Sequence, residues 1–222
     1  MSGRPASNSI ENALALDGDA DRIKDFYRDW AQSYDADVGD EAYRAPDIVA
    51  TLARIIQLSW LDAKRADLKI MDAGCGTGLA GVALRKAGFD HVDGFDIAPE
   101  MVDAARETEA YETLLPEIDL NARNPGLSEL DGAYDIVTCA GVFTLGHVEP
   151  QGLDHLVALA RDGGFVVVST REDYLKQSDY HEHTRKLEAR GDIRPAFALP
   201  DARYVGDDRA DYWVYRKTSP AA

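Results

Sequence analysis

The 222-residue chain is long enough to bury a sizeable core in one domain, and its composition, 45% hydrophobic and 29% charged, is that of an ordinary globule. Its 24 basic and 40 acidic side chains leave a net charge of -16, which repels phosphate backbones and argues against nucleic acid as a substrate; a small neutral or cationic molecule fits better, although the same acidity also serves solubility. Cys75 and Cys139 form no Cys-x-x-Cys pair, so a disulfide framework or zinc cluster has almost no support and both read as small buried residues. No apolar run approaches bilayer length, and the first residues lack a basic start ahead of an apolar core, so a cytoplasmic protein without membrane contact is expected, as a monomer or homodimer.

Residues 1–20 are small and polar and read as a flexible tail; residues 21–222 read as one domain, with an N-terminal helical cap over 21–66 and an α/β core over 67–222. Ile23, Phe26, Tyr27, Trp30 and Tyr34 recur at three- and four-residue spacing, which predicts an amphipathic helix with an aromatic face running through "DADRIKDFYRDWAQSYDADV". A second helix is expected from Ala45 to Trp60, with Pro46 in its first turn. The rhythm then alternates. "DLKIMDAG" predicts a strand, "GLAGVALRKAG" a helix stopped by Gly88, "HVDGFDIA" a strand, and "PEMVDAARETEAY" a helix opened by Pro99. "LLPEIDL" is a weaker strand interrupted by Pro116, "YDIVTCAGV" a clear one, and a helix from about Gln151 to Arg161 leads into the strand "FVVVST". "REDYLKQSDYHEHTRKLEARG" reads as helical and "ARYVGDDRADYWVYRK" as two strands around an Asp/Gly turn. Apolar, β-branched strands alternating with helices predict a parallel sheet covered on both faces.

The stretch "KIMDAGCGTGLAG" strips side chains from the turn after the first strand, with Gly74, Gly76 and Gly78 ahead of a helix N-terminus. Two cofactor classes fit such a bare turn. Gly76 to Gly81 matches the dinucleotide pattern G-x-G-x-x-G, and Asp96 follows about 20 residues on, where a ribose-binding acid belongs. The phasing opposes that reading: Asp72 and Gly74 stand between the strand and the hexapeptide, and a carboxylate at Asp72 repels a pyrophosphate while suiting a ligand with an amino group and a sulfonium.

"IMDAGCGTGLAG" followed by "VDGFDIAPEMVDAARE" resembles the class I S-adenosylmethionine-dependent methyltransferases, from about Tyr27 to Thr170. "WAQSYDADV", "GFDIAPEMVDAA" and "CAGVFTLGHV" further resemble the small subgroup named after the methyltransferase-like protein of the Williams–Beuren region. The resemblance implies a single Rossmann-like, doubly wound and mostly parallel seven-stranded sheet with an N-terminal helical cap and S-adenosyl-L-methionine as cofactor; it is silent on the acceptor, and the small-molecule substrate expected here rests on the net charge. It implies that the loop from Asp72 through Ala73, Gly74, Cys75 and Gly76 to Gly78 lies under the methionine portion, with Asp72 near its amino group through water, and that Leu79 also meets the cofactor. It places Asp96 on the ribose hydroxyls, Ile97 and Met101 on the adenine, and Asp119 near the adenine amino group with Leu120 beside it. It puts Cys139, Ala140 and Gly141 under the sulfonium, and Tyr34 in a cap over the cofactor carboxylate.

The methyl of a sulfonium is already activated, so transfer to oxygen, nitrogen or sulfur asks mainly for alignment and exclusion of water, with a base where the nucleophile carries a proton. His147, just past the fourth strand, is placed by topology to be that base. Glu172, Tyr174 and His183, after the fifth strand, are expected along a substrate wall. His181 and His183 are one residue apart in a helix or loop and would not point the same way, so no metal site is assigned. An NAD(P)-dependent oxidoreductase is the alternative from another class, opposed also by the lack of a Tyr-x-x-x-Lys pair; a non-catalytic S-adenosylmethionine-binding protein is the third reading.

Overall fold

A computed structural model describes residues 12–13, 16, 18–31, 33–40, 42–122 and 124–218. Most of the expected N-terminal tail lies outside the described residues; within it, Ala13 is buried beside Trp30 and Val38, and the Gly18 N–H donates to the Gly146 carbonyl at 2.9 Å.

The aromatic helix expected near the N-terminus is two helices. α1, Ala20–Trp30, starts at Asp19, whose side chain accepts the Arg22 N–H, and α2, Tyr34–Asp40, follows a short turn. Trp30 stacks edge-on against Tyr34 with centroids 4.7 Å apart, so the aromatic face is shared across the break. α3, Ala45–Trp60, matches expectation, with Pro46 in its first turn and Val49, Leu52, Ala53 and Ile56 buried at helical spacing. Each large aliphatic side chain buried there is worth about 1.5–3 kcal/mol.

The core runs β1 (Lys69–Ala73), α4 (Leu79–Lys86), β2 (His91–Phe95), α5 (Pro99–Glu107), β3 (Thr113–Leu115), α6 (Pro125–Ser128), β4 (Tyr134–Phe143), α7 (Gly152–Leu159), β5 (Ala160–Arg171), α8 (Glu172–Gln177), α9 (Tyr180–Arg190), β6 (Ile193–Arg203) and β7 (Arg209–Lys217). These strands form one seven-stranded sheet in the order β3-β2-β1-β4-β5-β7-β6. The first five pair in parallel, and β7 runs antiparallel to both β5 and β6. The expected α/β fold is therefore present. Boundaries differ where proline or glycine decides them: β3 stops before Pro116, and β6 starts nine residues ahead of the predicted strand because Pro195 and Pro200 are tolerated on the sheet edge.

Two buried clusters cover the two faces. One joins α3 and α4 to the sheet through Ile56, Leu84, Ile70, Phe89 and Val167, and the other joins α7 to α9 through Leu153, Leu156, Tyr180, Leu187 and Val168. Both cysteines are buried and free. Among the described residues no helix is long and apolar enough to cross a membrane.

Candidate functional site

The strand order reverses between β1 and β4, and ligands of open α/β sheets sit at the carboxyl ends of strands at such a reversal. A cavity of about 690 Å³ opens there, lined from the core by Gly74, Gly76, Asp96 and Gly141 and from α1 and α2 by Ile23, Tyr27 and Tyr34. The turn after β1 passes through Gly74, Gly76 and Gly78 at φ 68, 53 and 97°, left-handed backbone that side chains rarely adopt.

Asp96 directly follows β2, with its carboxylate at the cavity wall. Its Oδ2 accepts the Gly76 N–H at 2.9 Å and its Oδ1 accepts the Ala98 N–H at 3.0 Å, so the acid ties the glycine turn to the start of α5 and is held in one orientation. Burial pushes its pKa up, opposed by those backbone donors. Beside it Ile97, Met101, Ile118 and Leu120 form an apolar slot, with Asp119 lining its rim and accepting the Asn121 N–H at 2.8 Å. Asp96, Ile97, Met101, Asp119, Leu120, Ala140, Gly141, Tyr34, Gly74 and Gly76 thus converge on one cavity, as expected.

Asp72 does not join them. Its carboxylate is 1% exposed and accepts the Tyr111 hydroxyl at 2.7 Å and the Thr138 hydroxyl at 3.1 Å, beneath the turn rather than in the cavity. Burial raises its pKa to about 6 against the pull of both hydroxyls. The folded protein therefore binds a proton at Asp72 that the unfolded chain releases at lower pH, and stability falls as pH rises from about 4 to about 6. Asp72→Asn is expected to remove a stability difference on the order of 3 kcal/mol across that window, read as a flatter pH dependence of denaturant midpoints.

Tyr111, which no sequence pattern pointed to, explains the rest of the glycine motif. Its hydroxyl accepts the Gly81 N–H at 3.1 Å, and its ring fills the places where side chains at Gly81 and Gly94 would stand. The third glycine of the dinucleotide-like hexapeptide is there to seat a tyrosine and lies outside the cavity. Gly81→Ala is expected to destabilise the fold by about 1–3 kcal/mol through overpacking, seen as a lowered melting temperature.

The remaining expected contacts also divide. Ala73 and Cys139 are fully buried core residues, and Gly78 is covered by Tyr111 and α5. Cys75 and Leu79 line a smaller adjoining pocket of about 310 Å³ with Tyr34, Gly74, Gly76 and Ala140. None of the three expected substrate residues lines these cavities. Glu172 pairs with Lys176 at 2.5 Å on the surface, because acids in the first turn of α8 suit solvent and the helix dipole. Tyr174 is core, its hydroxyl donating to the Val148 carbonyl at 2.9 Å, and His183 is held at 2.5 Å by Asp154.

His147 does face the cavity. Its Nδ1 lies 3.0 Å from the Leu145 carbonyl, an acceptor only, so Nδ1 carries the proton and Nε2 accepts the Tyr27 hydroxyl at 3.0 Å. Burial lowers its pKa, keeping the ring neutral. The base expected at His147 is therefore masked by a phenol from α1, and Tyr27 is the group at its Nε2 that lines the cavity. A second cavity of about 450 Å³ shares Tyr27, Tyr34, Gly141 and His147 with the first and continues toward Tyr43, Arg171 and Tyr204.

A family model described as a methyltransferase domain matches residues 71–166. Methyltransferase-like protein 27 of Homo sapiens is 32% identical over 146 residues, covering 66% of this chain and 56% of that protein. A ribosomal protein L11 methyltransferase of Thiobacillus denitrificans is 38% identical over 116 residues, 50% of this chain and 36% of that protein. The chain thus spans between a third and just over half of the length of these curated relatives. In fold it is similar to the magnesium protoporphyrin IX methyltransferase of Synechocystis PCC 6803 with bound SAH, at a TM-score of 0.65 and 20% identity, covering 90% of this chain and 100% of that one.

Proposed function

We propose that the chain is a class I S-adenosylmethionine-dependent methyltransferase, a reading that the matched methyltransferase domain and its relatives support, and that it binds S-adenosyl-L-methionine in the larger cavity and methylates a small-molecule oxygen, nitrogen or sulfur acceptor in the smaller one. The observation that carries this reading is Asp96, a carboxylate fixed by two backbone donors at the cavity wall beside an apolar slot. That pairing suits a ribose diol next to a flat base. The donor set fits the cofactor: Asp96 has lone pairs left for hydroxyls, Ile97, Met101 and Leu120 offer apolar walls to a ring, and at Gly76 nothing stands within 4 Å of where a side chain would be. When bound, the cofactor supplies an activated methyl group on a sulfonium.

The chain's own residues align and shield. Ile23, Tyr27 and Tyr34 wall off both reactants from water, and Gly141, lining both cavities at φ 80°, leaves a bare backbone where they meet. A proton leaving the acceptor passes to the Tyr27 oxygen as the Tyr27 proton moves to His147 Nε2. Enclosure by α1 and α2 favours a small molecule over a protein side chain. Titration calorimetry with S-adenosylhomocysteine, with NADH as control, tests the reading: saturable binding of the nucleoside alone supports it, and binding of NADH alone overturns it.

A further inference from the structure

The smaller cavity has a chemistry of its own. Tyr27, Trp30, Tyr34, Tyr43 and Tyr204 give it an aromatic wall, with Tyr43 and Tyr204 edge to face at 5.3 Å. Among the described residues no carboxylate lines it, and Arg171, the last residue of β5, is the one Lys or Arg that does. The Arg171 side chain is only 12% exposed, and its guanidinium lies 5.7 Å from the Tyr204 ring centroid. Asp208, itself 47% exposed, takes one nitrogen, Nη2, at 2.7 Å from outside the cavity. A guanidinium has five N–H donors in a planar fork shaped for a carboxylate, and here most of them lack a partner among the described residues. Holding a cation this far from water, against aromatic faces and with donors to spare, suits an anion arriving from the cavity side.

We propose that this cavity binds the methyl acceptor as a hydroxyl-bearing aromatic carboxylate, its carboxylate on Arg171 and its hydroxyl beside Tyr27 and His147. The inference rests on the methyl-transfer reading and narrows it. A flat ring matches the tyrosine and tryptophan walls, and the Arg171 guanidinium reverses the expectation of a neutral or cationic substrate drawn from the net charge of -16. The neutral His147, reached through the Tyr27 hydroxyl, takes up the proton that a phenol must lose. In the step, the acceptor's O–H proton passes to the Tyr27 oxygen and the Tyr27 proton to His147 Nε2. The acceptor oxygen forms a bond to the methyl carbon while the methyl–sulfur bond breaks, and the bonding pair stays on sulfur as a neutral thioether.

The test titrates 4-hydroxybenzoate and 4-hydroxycinnamate, with their neutral amide and cationic amine counterparts, into protein saturated with S-adenosylhomocysteine, and follows turnover of the same compounds with S-adenosylmethionine. The acids are expected to bind at least about tenfold more tightly than the amides and to be methylated on oxygen. Arg171→Gln should erase that preference, Arg171→Lys should keep part of it, and both should bind S-adenosylhomocysteine within about twofold of wild type with unchanged melting cooperativity. Equal or tighter binding of amide or amine, an Arg171→Gln variant that still prefers the acids, or no binding of either acid to the saturated protein would overturn the acceptor assignment alone. Failure of S-adenosylhomocysteine itself to bind would remove the methyl-transfer reading and this inference together.

Discussion

Asp96→Ala is expected to weaken S-adenosylhomocysteine binding by about a hundredfold or more, the largest affinity loss of any single change in the cavity. Hydrogen bonds to a charged acceptor are worth about 1.5–3 kcal/mol each, and a diol offers two of them. The same carboxylate also accepts from Gly76 and Ala98, so its removal loosens the glycine turn at the cavity wall. Asp96→Asn keeps a neutral acceptor and should fall between wild type and alanine. Calorimetry decides the matter alongside a thermal melt: an unchanged dissociation constant in a folded Asp96→Ala protein would mean that the acid only braces the turn.

Tyr27→Phe and His147→Ala are each expected to cut turnover by roughly 10²–10⁴-fold while leaving product affinity within a few-fold, the signature of groups that act on the proton in the transition state. Their effects should not multiply in the double variant, since the Tyr27 hydroxyl works through the Nε2 it touches at 3.0 Å. The pH profile gives a second reading. Burial lowers the His147 pKa, and a base acts unprotonated, so the rate should stay level from neutral pH down past the ordinary histidine range, then fall. Asp72, with a pKa of about 6, titrates nearby, and the profile of Asp72→Asn separates the two: a limb that persists there belongs to His147. Wild-type turnover in Tyr27→Phe would exclude the relay.

Periodicity made the helices and strands legible, since each burial pattern is local: α3 and the alternation from β1 to β5 follow directly from where apolar residues recur. Asp96, Gly76 and the apolar slot were legible for a related reason, because a polar residue ending an apolar strand has few other reasons to be there. Asp72 obeys the same rule but lies outside the cavity, because its partners Tyr111 and Thr138, 39 and 66 residues away, are brought to it only by the fold. Likewise Glu172, Tyr174 and His183 follow the right strand but sit on two successive helices, α8 and α9, that turn them to solvent, core and Asp154. Arg171, one residue earlier, stays on the strand and reaches the cavity.

Where the two cavities draw their walls has an evolutionary consequence. Apart from Ile23, Tyr27 and Tyr34, the larger one is built from Gly74 to Val148, inside or close to the span that the methyltransferase domain matches. The smaller one borrows Gly141, Thr144 and His147 but otherwise takes its surface from Ala13 to Tyr43 and from Arg171 to Val205, both beyond that span. With cofactor and acceptor seated as proposed, acceptor preference would drift through changes at the two flanks while the cofactor pocket stays intact, and relatives recognised through the shared middle need not share a substrate.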